Sequence, residues 1–470
     1  MFLKQYQKGF ACSLYYFSCL NFGHMNSRKV ILWSLTVALG GFLFGFDTAV
    51  ISGAEKSIQQ YWSLSSFEHG LTISIALIGT IFGALFGSIP SDKFGRRQTL
   101  FFVAIFYLVA SLGTALAQNW YLFLFFRFLG GLGVGASSVT APVYISEISP
   151  PKTRGSLVEL FQFNVVFGIL ISYLSNYLIG LSSIGADASW RWMLGIQAAP
   201  SFIFLVLVRL VPETPRWLIL KGGKFEAAKS VLKIINPEGY EDDYNNIMKG
   251  HEHDAEKHIS ERLFQNKYKF PVTLAILFAV FNQVSGINAI IYYAPRIFEM
   301  TGLGQGSSLL SAAGIGLVNF IFTLLAIRFI DKIGRRTLMF IGSFGLIVSL
   351  GLVSRAFFTE DFASYTVIVS LLLFIAFFAF SQGAVIWVFI SEIFPNQVRA
   401  KGQTLGSVTH WVMAATVAFV FPVLAESLGG GITFLFFTVM MVLQLLFVWK
   451  MMPETKGSSL EQIETSLVLH

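Results

Sequence analysis

Two ionisable side chains stand where a charge is costly. Asp47 and Arg127 each interrupt a long apolar run, and a charge at the centre of a membrane-spanning helix costs roughly 2.5–3.5 kcal/mol on insertion scales. Asp47 lies about six residues from one end of its run, and Arg127 about six residues into another run entered from the same side. At about 1.5 Å rise per residue both stand about 9 Å deep. Equal depth and opposite charge suggest a pair. A carboxylate beside an arginine stays ionised, whereas a buried one without a partner is neutral. Such a group can bind and release a proton as its partner moves. A static ion pair, or an Arg127 that snorkels outward, fits the same positions.

Five amides, Gln162, Asn282, Gln283, Asn288 and Asn319, also lie in otherwise apolar segments. Asn and Gln offer a donor and an acceptor with no charge to desolvate, which suits a neutral polar ligand. Any one of them alone serves equally well as a hydrogen-bonded tie between helices. Their clustering around Gly286, where a helix can loosen, favours the binding reading.

These residues need elements that carry polar groups through a bilayer. The chain of 470 residues is 54% apolar and only 13% charged, against about a quarter charged in soluble domains. A soluble fold this apolar would expose large greasy patches. Spans of about 20 apolar residues fall near 31–53, 70–90, 98–117, 121–146, 157–180, 192–211, 270–294, 308–330, 337–357, 365–391, 404–425 and 431–452. The expectation is an all-α integral membrane protein with twelve transmembrane helices in two six-helix halves, 30–211 and 270–452. A cytoplasmic linker with short helices, 212–269, joins the halves. An N-terminal segment, 1–29, and a tail, 453–470, flank them. Residues 1–24 read as an upstream extension ahead of Met25, or as a cleaved leader without a clear cleavage site. That stretch holds Cys12 and Cys19, the only cysteines, which excludes a disulfide framework and a zinc site.

The net charge of +7 points to membrane topology rather than nucleic acid once the cations are placed. With both termini inside, the inner loops carry Lys93, Arg96, Arg97, Lys152, Arg154, Lys332, Arg335, Arg336, Arg399 and Lys401. The outer loops carry Lys56, Arg191, Arg296 and Arg355. This positive-inside bias puts both termini in the cytoplasm.

The chain repeats itself at an offset of about 240 residues. Ser91-Asp-Lys-Phe-Gly-Arg-Arg97 returns as Ile330-Asp-Lys-Ile-Gly-Arg-Arg336. Tyr144-Ile-Ser-Glu-Ile148 returns as Phe389-Ile-Ser-Glu-Ile393, and Pro212-Glu-Thr214 as Pro453-Glu-Thr455. Parallel repeats of this kind build one large class of secondary transporters, with the ligand site between the halves. The repeated charges are Asp92, Arg96, Arg97, Glu147 and Arg154 in one half, and Asp331, Arg335, Arg336, Glu392 and Arg399 in the other. They are either topology determinants at a wet interface or a latch that holds the inner ends of the halves together.

On these motifs, with Pro142-Val-Tyr-Ile-Ser-Glu147, Pro212-Glu-Thr-Pro-Arg-Trp217, Gln283-Val-Ser-Gly-Ile-Asn-Ala-Ile-Ile-Tyr-Tyr293 and Pro453-Glu-Thr-Lys-Gly457, the chain resembles the sugar porter family of the major facilitator superfamily from about residue 30 to 465. Its bacterial proton-coupled xylose, galactose and glucose symporters look nearest. The resemblance implies the major facilitator fold and a bacterial inner-membrane transporter that works as a monomer, with a monosaccharide and the lipid bilayer as partners. It implies no cofactor beyond a coupling proton. Asp47 and Arg127 match the family's proton-coupling pair. Gln162, Gln283, Asn288 and Asn319 match sugar-contacting positions, and Asn282 stands where the family usually has Gln. Trp387 and Trp411 match cavity-lining positions, and Phe44, Tyr292, Tyr293 and Phe378 match aromatic positions around them. His410 sits where relatives often carry an amide. The inner-face charges match the family's cytoplasmic gate. Ala384 replaces a common Pro, so a weaker break is expected in the tenth span. Gln197 and Ile169 differ from the xylose symporter type, which leaves the sugar unassigned.

The reading is proton symport of a hexose or pentose by alternating access, with facilitated diffusion or sugar sensing on the same fold as alternatives. No nucleophile–base set, phosphate loop or ATP-binding motif supports an enzyme or a pump.

Overall fold

The computed structural model describes residues 25–150, 153–182, 185–256, 262–362, 365–395 and 397–456. The suspected extension 1–24, with Cys12 and Cys19, and the tail beyond 456 lie outside the described residues. All regular structure among the described residues is helical. The first six spans are Met25–Tyr61, Ser66–Phe86, Arg96–Leu116, Trp120–Ile148, Arg154–Gly180, and a sixth in two pieces, Ala186–Gly195 and Ala198–Leu207. The seventh also comes in two pieces, Lys269–Val284 and Ile287–Met300. Then follow Gln305–Ile333, Arg335–Thr359, and a tenth divided into Thr366–Phe380 and Gln382–Glu392.

Eleven helical stretches among the described residues are long and apolar enough to cross a membrane. The last, Arg399–Lys450, is 52 residues long and contains Gly429 at φ 77°, ψ 163°. Only glycine reaches that conformation at no steric cost, so the stretch is two helices meeting at a sharp corner. Residues 399–428 and 430–450 are the eleventh and twelfth spans, which gives the expected twelve.

The halves meet along the second span against the eleventh, the fifth against the eighth, and the first against the seventh. Small residues permit the closest approaches within the first half. Gly79 and Gly83 seat against the backbone carbonyls of Phe128 and Leu132, and Gly131 and Gly135 return the contact at Ala76 and Thr80. This is how small residues bring membrane helices together where lipid offers no hydrophobic drive.

Two breaks matter for the site. Gly286 divides the seventh span at φ 87°, and the Phe437 ring fills the space where a side chain would point. The tenth span is interrupted at Ser381 (φ −120°, ψ −89°), three residues before Ala384. The lost proline therefore does not leave this span continuous. The Ser381 hydroxyl instead donates to the Phe377 carbonyl at 2.6 Å and lies over Gly342, which has no Cβ to obstruct it.

The linker forms Pro215–Leu220, Phe225–Ile235 and Tyr240–Glu256, with a small core of Leu218, Ile219, Ala228, Val231 and Leu232. It docks on the first half through the Trp217 indole N–H, 2.9 Å from the Asp92 carbonyl, and the Tyr144 hydroxyl, 2.7 Å from the Pro212 carbonyl.

Candidate functional site

The first and fourth spans bring Asp47 and Arg127 together, as equal depth suggests. Arg127 Nη1 donates to Asp47 Oδ1 at 3.1 Å. The residues are 6% and 4% exposed, so Arg127 does not snorkel. Gly130, one turn along from Arg127, leaves the space beside Asp47 Oδ1 open. Arg127 Nε has no hydrogen-bond partner among the described residues. The pair is therefore joined by one hydrogen bond instead of a two-pronged clamp, a grip that a change at either member can loosen.

The break at Gly286 gathers the amides. Gln283 Nε2 donates to Asn282 Oδ1 at 2.8 Å, and Gln283 Oε1 accepts from Asn288 Nδ2 at 2.6 Å. Asn282 Nδ2 reaches the carbonyl of Gln382, the first residue after the break in the tenth span, at 3.3 Å. The His410 ring lies 3.2 Å from Gln283 Nε2. Three amides and an imidazole thus form one network at the meeting of two interrupted helices, with Asn282 and Gln283 buried and Asn288 and His410 half-buried. Gln162 and Asn319 are half-buried on the fifth and eighth spans, which pack together, and neither makes a hydrogen bond among the described residues.

Aromatic rings flank the network. His410 contacts Trp387 and Trp411 at 4.9 and 5.0 Å between ring centroids. Phe44 of the first half meets Trp411 of the second at 5.7 Å. Trp387 keeps 39% of its surface exposed, so a large platform with an N–H donor remains uncovered. Tyr292 is buried. Two other aromatic candidates are engaged elsewhere. Tyr293 donates to the Ala418 carbonyl at 3.2 Å and packs on Phe421. Phe378 is buried and stacks on Phe374.

At the end carrying the two Gly-Arg-Arg turns, the repeated charges pair inside their own halves. Arg96 binds Glu147 at 3.2 Å and Asp92 at 3.0 Å. Arg335 binds Glu392 and Asp331, both at 2.8 Å. Arg154, Arg336 and Arg399 donate to the Ser146, Trp449 and Phe394 carbonyls. None of these contacts joins the two halves.

The same end reveals two residues that sequence reasoning quoted in a motif without giving them a task. Gly95 (φ 101°) and Gly334 (φ 99°) each turn the chain into a new helix, whose first N–H groups have no partner within it. The Glu213 carboxylate accepts from the Arg97 and Arg96 N–H groups at 3.0 and 3.1 Å. Glu454 accepts from those of Arg335 and Arg336 at 2.8 and 3.1 Å. Burial pushes the Glu213 carboxyl above the ordinary range, against the pull of the N–H groups from Thr214, Arg97 and Arg96 and the Arg96 charge.

The opposite end is closed by bonds between the halves. Arg296 Nε donates to Glu55 Oε1 at 2.9 Å, and Arg296 Nη2 reaches Glu55 Oε2 at 2.9 Å and Gln59 Oε1 at 2.5 Å. Lys56 pairs with Glu299, and the Tyr173 hydroxyl donates to the Ile291 carbonyl at 2.6 Å. Sequence reasoning counted Lys56 and Arg296 only as loop cations and did not single out Glu55, Gln59 or Tyr173. Glu55 stands near the end of an apolar run, where a charge is unexceptional, so the sequence carries no signal for it.

A model of the family described as sugar (and other) transporter matches residues 33–467. The chain belongs to this family. As a sugar-transporter relative, it is 39% identical over 439 residues to the arabinose-proton symporter of Bacillus subtilis (strain 168), covering 93% of this chain and 94% of that one. It is 38% identical over 447 residues to a glucose transporter of Staphylococcus epidermidis, covering 94% and 98%. Its fold matches the inward-open conformation of the xylose transporter of E. coli with a TM-score of 0.82 at 32% identity, over 92% of this chain and 98% of that one. The sugar-transporter fold is thus the major facilitator arrangement, closed here at the end opposite the Gly-Arg-Arg turns. Asn282 keeps a place in the amide network despite its shorter arm, by bonding the Gln382 carbonyl.

Proposed function

We propose that this chain imports a monosaccharide together with a proton by alternating access, with its basic end and both termini in the cytoplasm. The observation that carries the reading is the buried Asp47–Arg127 pair, in the half opposite the amide network. Supporting it are the relatives, one an arabinose-proton symporter, and the closed end between the first and seventh spans.

In the state described, Asp47 is ionised and held by Arg127, and the outer entrance is shut. When the outer side opens, a proton neutralises Asp47 and releases Arg127. A sugar then enters near Gln283 and Asn288. Its hydroxyls replace the hydrogen bonds that these amides make to one another, while Gln162 and Asn319 add further donors and acceptors. Trp387, Trp411 and Phe44 stack against its C–H faces. The halves rock closed outside and part inside, which demands that no charge pair bridge them there. The internal pairing of Arg96 and Arg335 meets that demand. These charges then set rates and populations, not sugar choice.

One elementary charge crossing 100 mV supplies about 2.3 kcal/mol, or about fiftyfold accumulation at 1.4 kcal/mol per decade. The test is sugar uptake in vesicles under an imposed proton gradient, beside proton uptake on adding sugar to de-energised cells. A carrier that equilibrates sugar without concentrating it, and takes up no protons, would be a uniporter.

A further inference from the structure

Glu55, buried to 1% exposure, is the hub of the closed outer end. Two donors of different kinds converge on it. One is Arg296 of the seventh span, in the other half, gripping both carboxylate oxygens. The other is His69 of the second span, in the same half as Glu55, with Nε2 at 2.8 Å from Oε2. A carboxylate only accepts, so His69 carries its proton on Nε2. Its other nitrogen, Nδ1, is buried with no hydrogen-bond partner among the described residues. A second proton there would be a cationic N–H facing no acceptor, and such burial is costly. In the closed gate a second proton on His69 thus has no acceptor to meet among the described residues, and Arg296 supplies the counter-charge of Glu55.

The groups around His69 leave few competitors. From the first span come Glu55 and, a residue along, Lys56, which is engaged with Glu299. From the seventh come Arg296 and the Tyr293 ring, edge-on at 5.8 Å. On its own helix, Glu68 is engaged in a capping box with Ser65. The eleventh span packs here through Phe419 on Gly70 and Phe67, and its segment Ala418–Pro422 holds no titratable side chain.

We propose that His69 is a second proton-binding site, which takes up a proton as the outer gate opens and replaces Arg296 as the counter-charge of Glu55. Opening separates the halves and carries Arg296 away with the seventh span. Glu55 and His69 stay together, now facing water. Nδ1 gains a solvent partner, and protonated His69 pairs with the carboxylate that Arg296 has left. The open form then binds one more proton than the closed form, so acid on the outer side favours opening. The effect is largest in acid and fades as the outer side becomes alkaline, because the open form is the one that gains the proton. This inference rests on the alternating-access part of the proposed function and not on Asp47 as the coupling site.

The experiment measures the distance between spin labels on Gln60→Cys and Met300→Cys, at the outer ends of the first and seventh spans. It uses the full chain in lipid nanodiscs, with Cys12 and Cys19 replaced by Ser. Going from about pH 8 to about pH 5.5 should raise the ratio of the longer-distance population to the shorter. The rise should be on the order of tenfold, as expected for one added proton bound by the open form. His69→Gln should abolish the shift, and Asp47→Asn should keep it. Arg296→Gln should favour the longer distance at both pH values. If His69→Gln fails to fold, Glu55→Gln serves, because a neutral hub has no use for a cationic His69. The proposal is overturned by a parent chain with no pH shift, by an undiminished shift in the His69 or Glu55 variant, or by a shift lost in Asp47→Asn. Failure of proton coupling itself would show separately, in the vesicle accumulation assay.

Discussion

Arg127 touches Asp47 through a single 3.1 Å hydrogen bond, and both side chains lie sealed from solvent in one half of the molecule. A pair bonded once, with Arg127 Nε unpartnered, can separate without dismantling a network. Asp47→Asn fixes the neutral form at this position. The variant should lose all accumulation against a gradient, up to the fiftyfold electrical term, and retain counterflow exchange of labelled for unlabelled sugar. Vesicles of the variant that still concentrate sugar under a proton gradient would refute the assignment.

The amides fall into two groups, and their variants should behave differently. Gln283 and Asn288 bond each other, so removing either leaves its partner unsatisfied in a largely enclosed place, at about 1–3 kcal/mol. Gln283→Ala should raise KM for sugar by about tenfold or more and lower thermal stability as well. Gln162 and Asn319 have no protein partner to abandon. Gln162→Ala should raise KM with the melting temperature unchanged. Paired uptake and melting measurements on the two variants separate a ligand contact from a helix tie.

Glu213 gives a pH-dependent prediction. Its carboxyl is held above the ordinary range by burial, so the folded state binds its proton more tightly than the unfolded chain. That stabilisation is full below the ordinary carboxylate range and is lost as pH rises through the elevated value. Melting temperature in detergent should fall across this interval in the parent chain and fall less in Glu213→Gln, which keeps an acceptor for the Arg96 and Arg97 N–H groups. Glu213→Ala removes the acceptor and should cost about 0.5–2 kcal/mol at every pH, as loss of a helix cap does.

Gly286 stands at φ 87° with the Phe437 ring 2.7 Å from where a Cβ would sit. Gly286→Ala must place a methyl group in that ring at a left-handed backbone, a conformation that costs roughly 1–2 kcal/mol for L-residues. We expect reduced surface expression and a rise in KM, since Gln283 and Asn288 flank the distorted turn. Phe437→Leu in the same chain should recover part of both by making room.

Most of the architecture was legible because a bilayer imposes its period on the sequence. Long apolar runs, cations on one face and a motif repeat announce spans and halves without tertiary information. The eleventh and twelfth spans were separable by composition even though the backbone runs through Gly429 with no intervening loop. Asp47 and Arg127 were found because each breaks a rule of its surroundings. The outer gate was not found, because Glu55, His69 and Arg296 lie near span ends, where a charge breaks no rule. Only the packing of the first, second and seventh spans makes them a cluster. Glu213 escaped for a similar reason: its partners are backbone N–H groups more than a hundred residues away, which carry no side-chain signature. Tyr293 and Phe378 match aromatic positions of the family, but Tyr293 spends its contacts on the eleventh span and Phe378 stacks on Phe374 of its own helix. An aromatic residue in a chain with 49 Phe is a weak signal by itself.

The carboxylates of Glu213 and Glu454 close helices that begin at Arg96 and Arg335, yet each arrives from chain that follows its half. The unit of inheritance is therefore longer than the six helices: it runs through its own Pro-Glu-Thr. A transporter split into two co-expressed polypeptides should assemble when the cut falls between the linker helices, near Gly239, and fail when it falls at Val211, which strips the first fragment of its terminal acid. Gene duplication would have had to copy that acid along with the helices, and the matching Pro-Glu-Thr segments at 212 and 453 are what such a copy leaves behind.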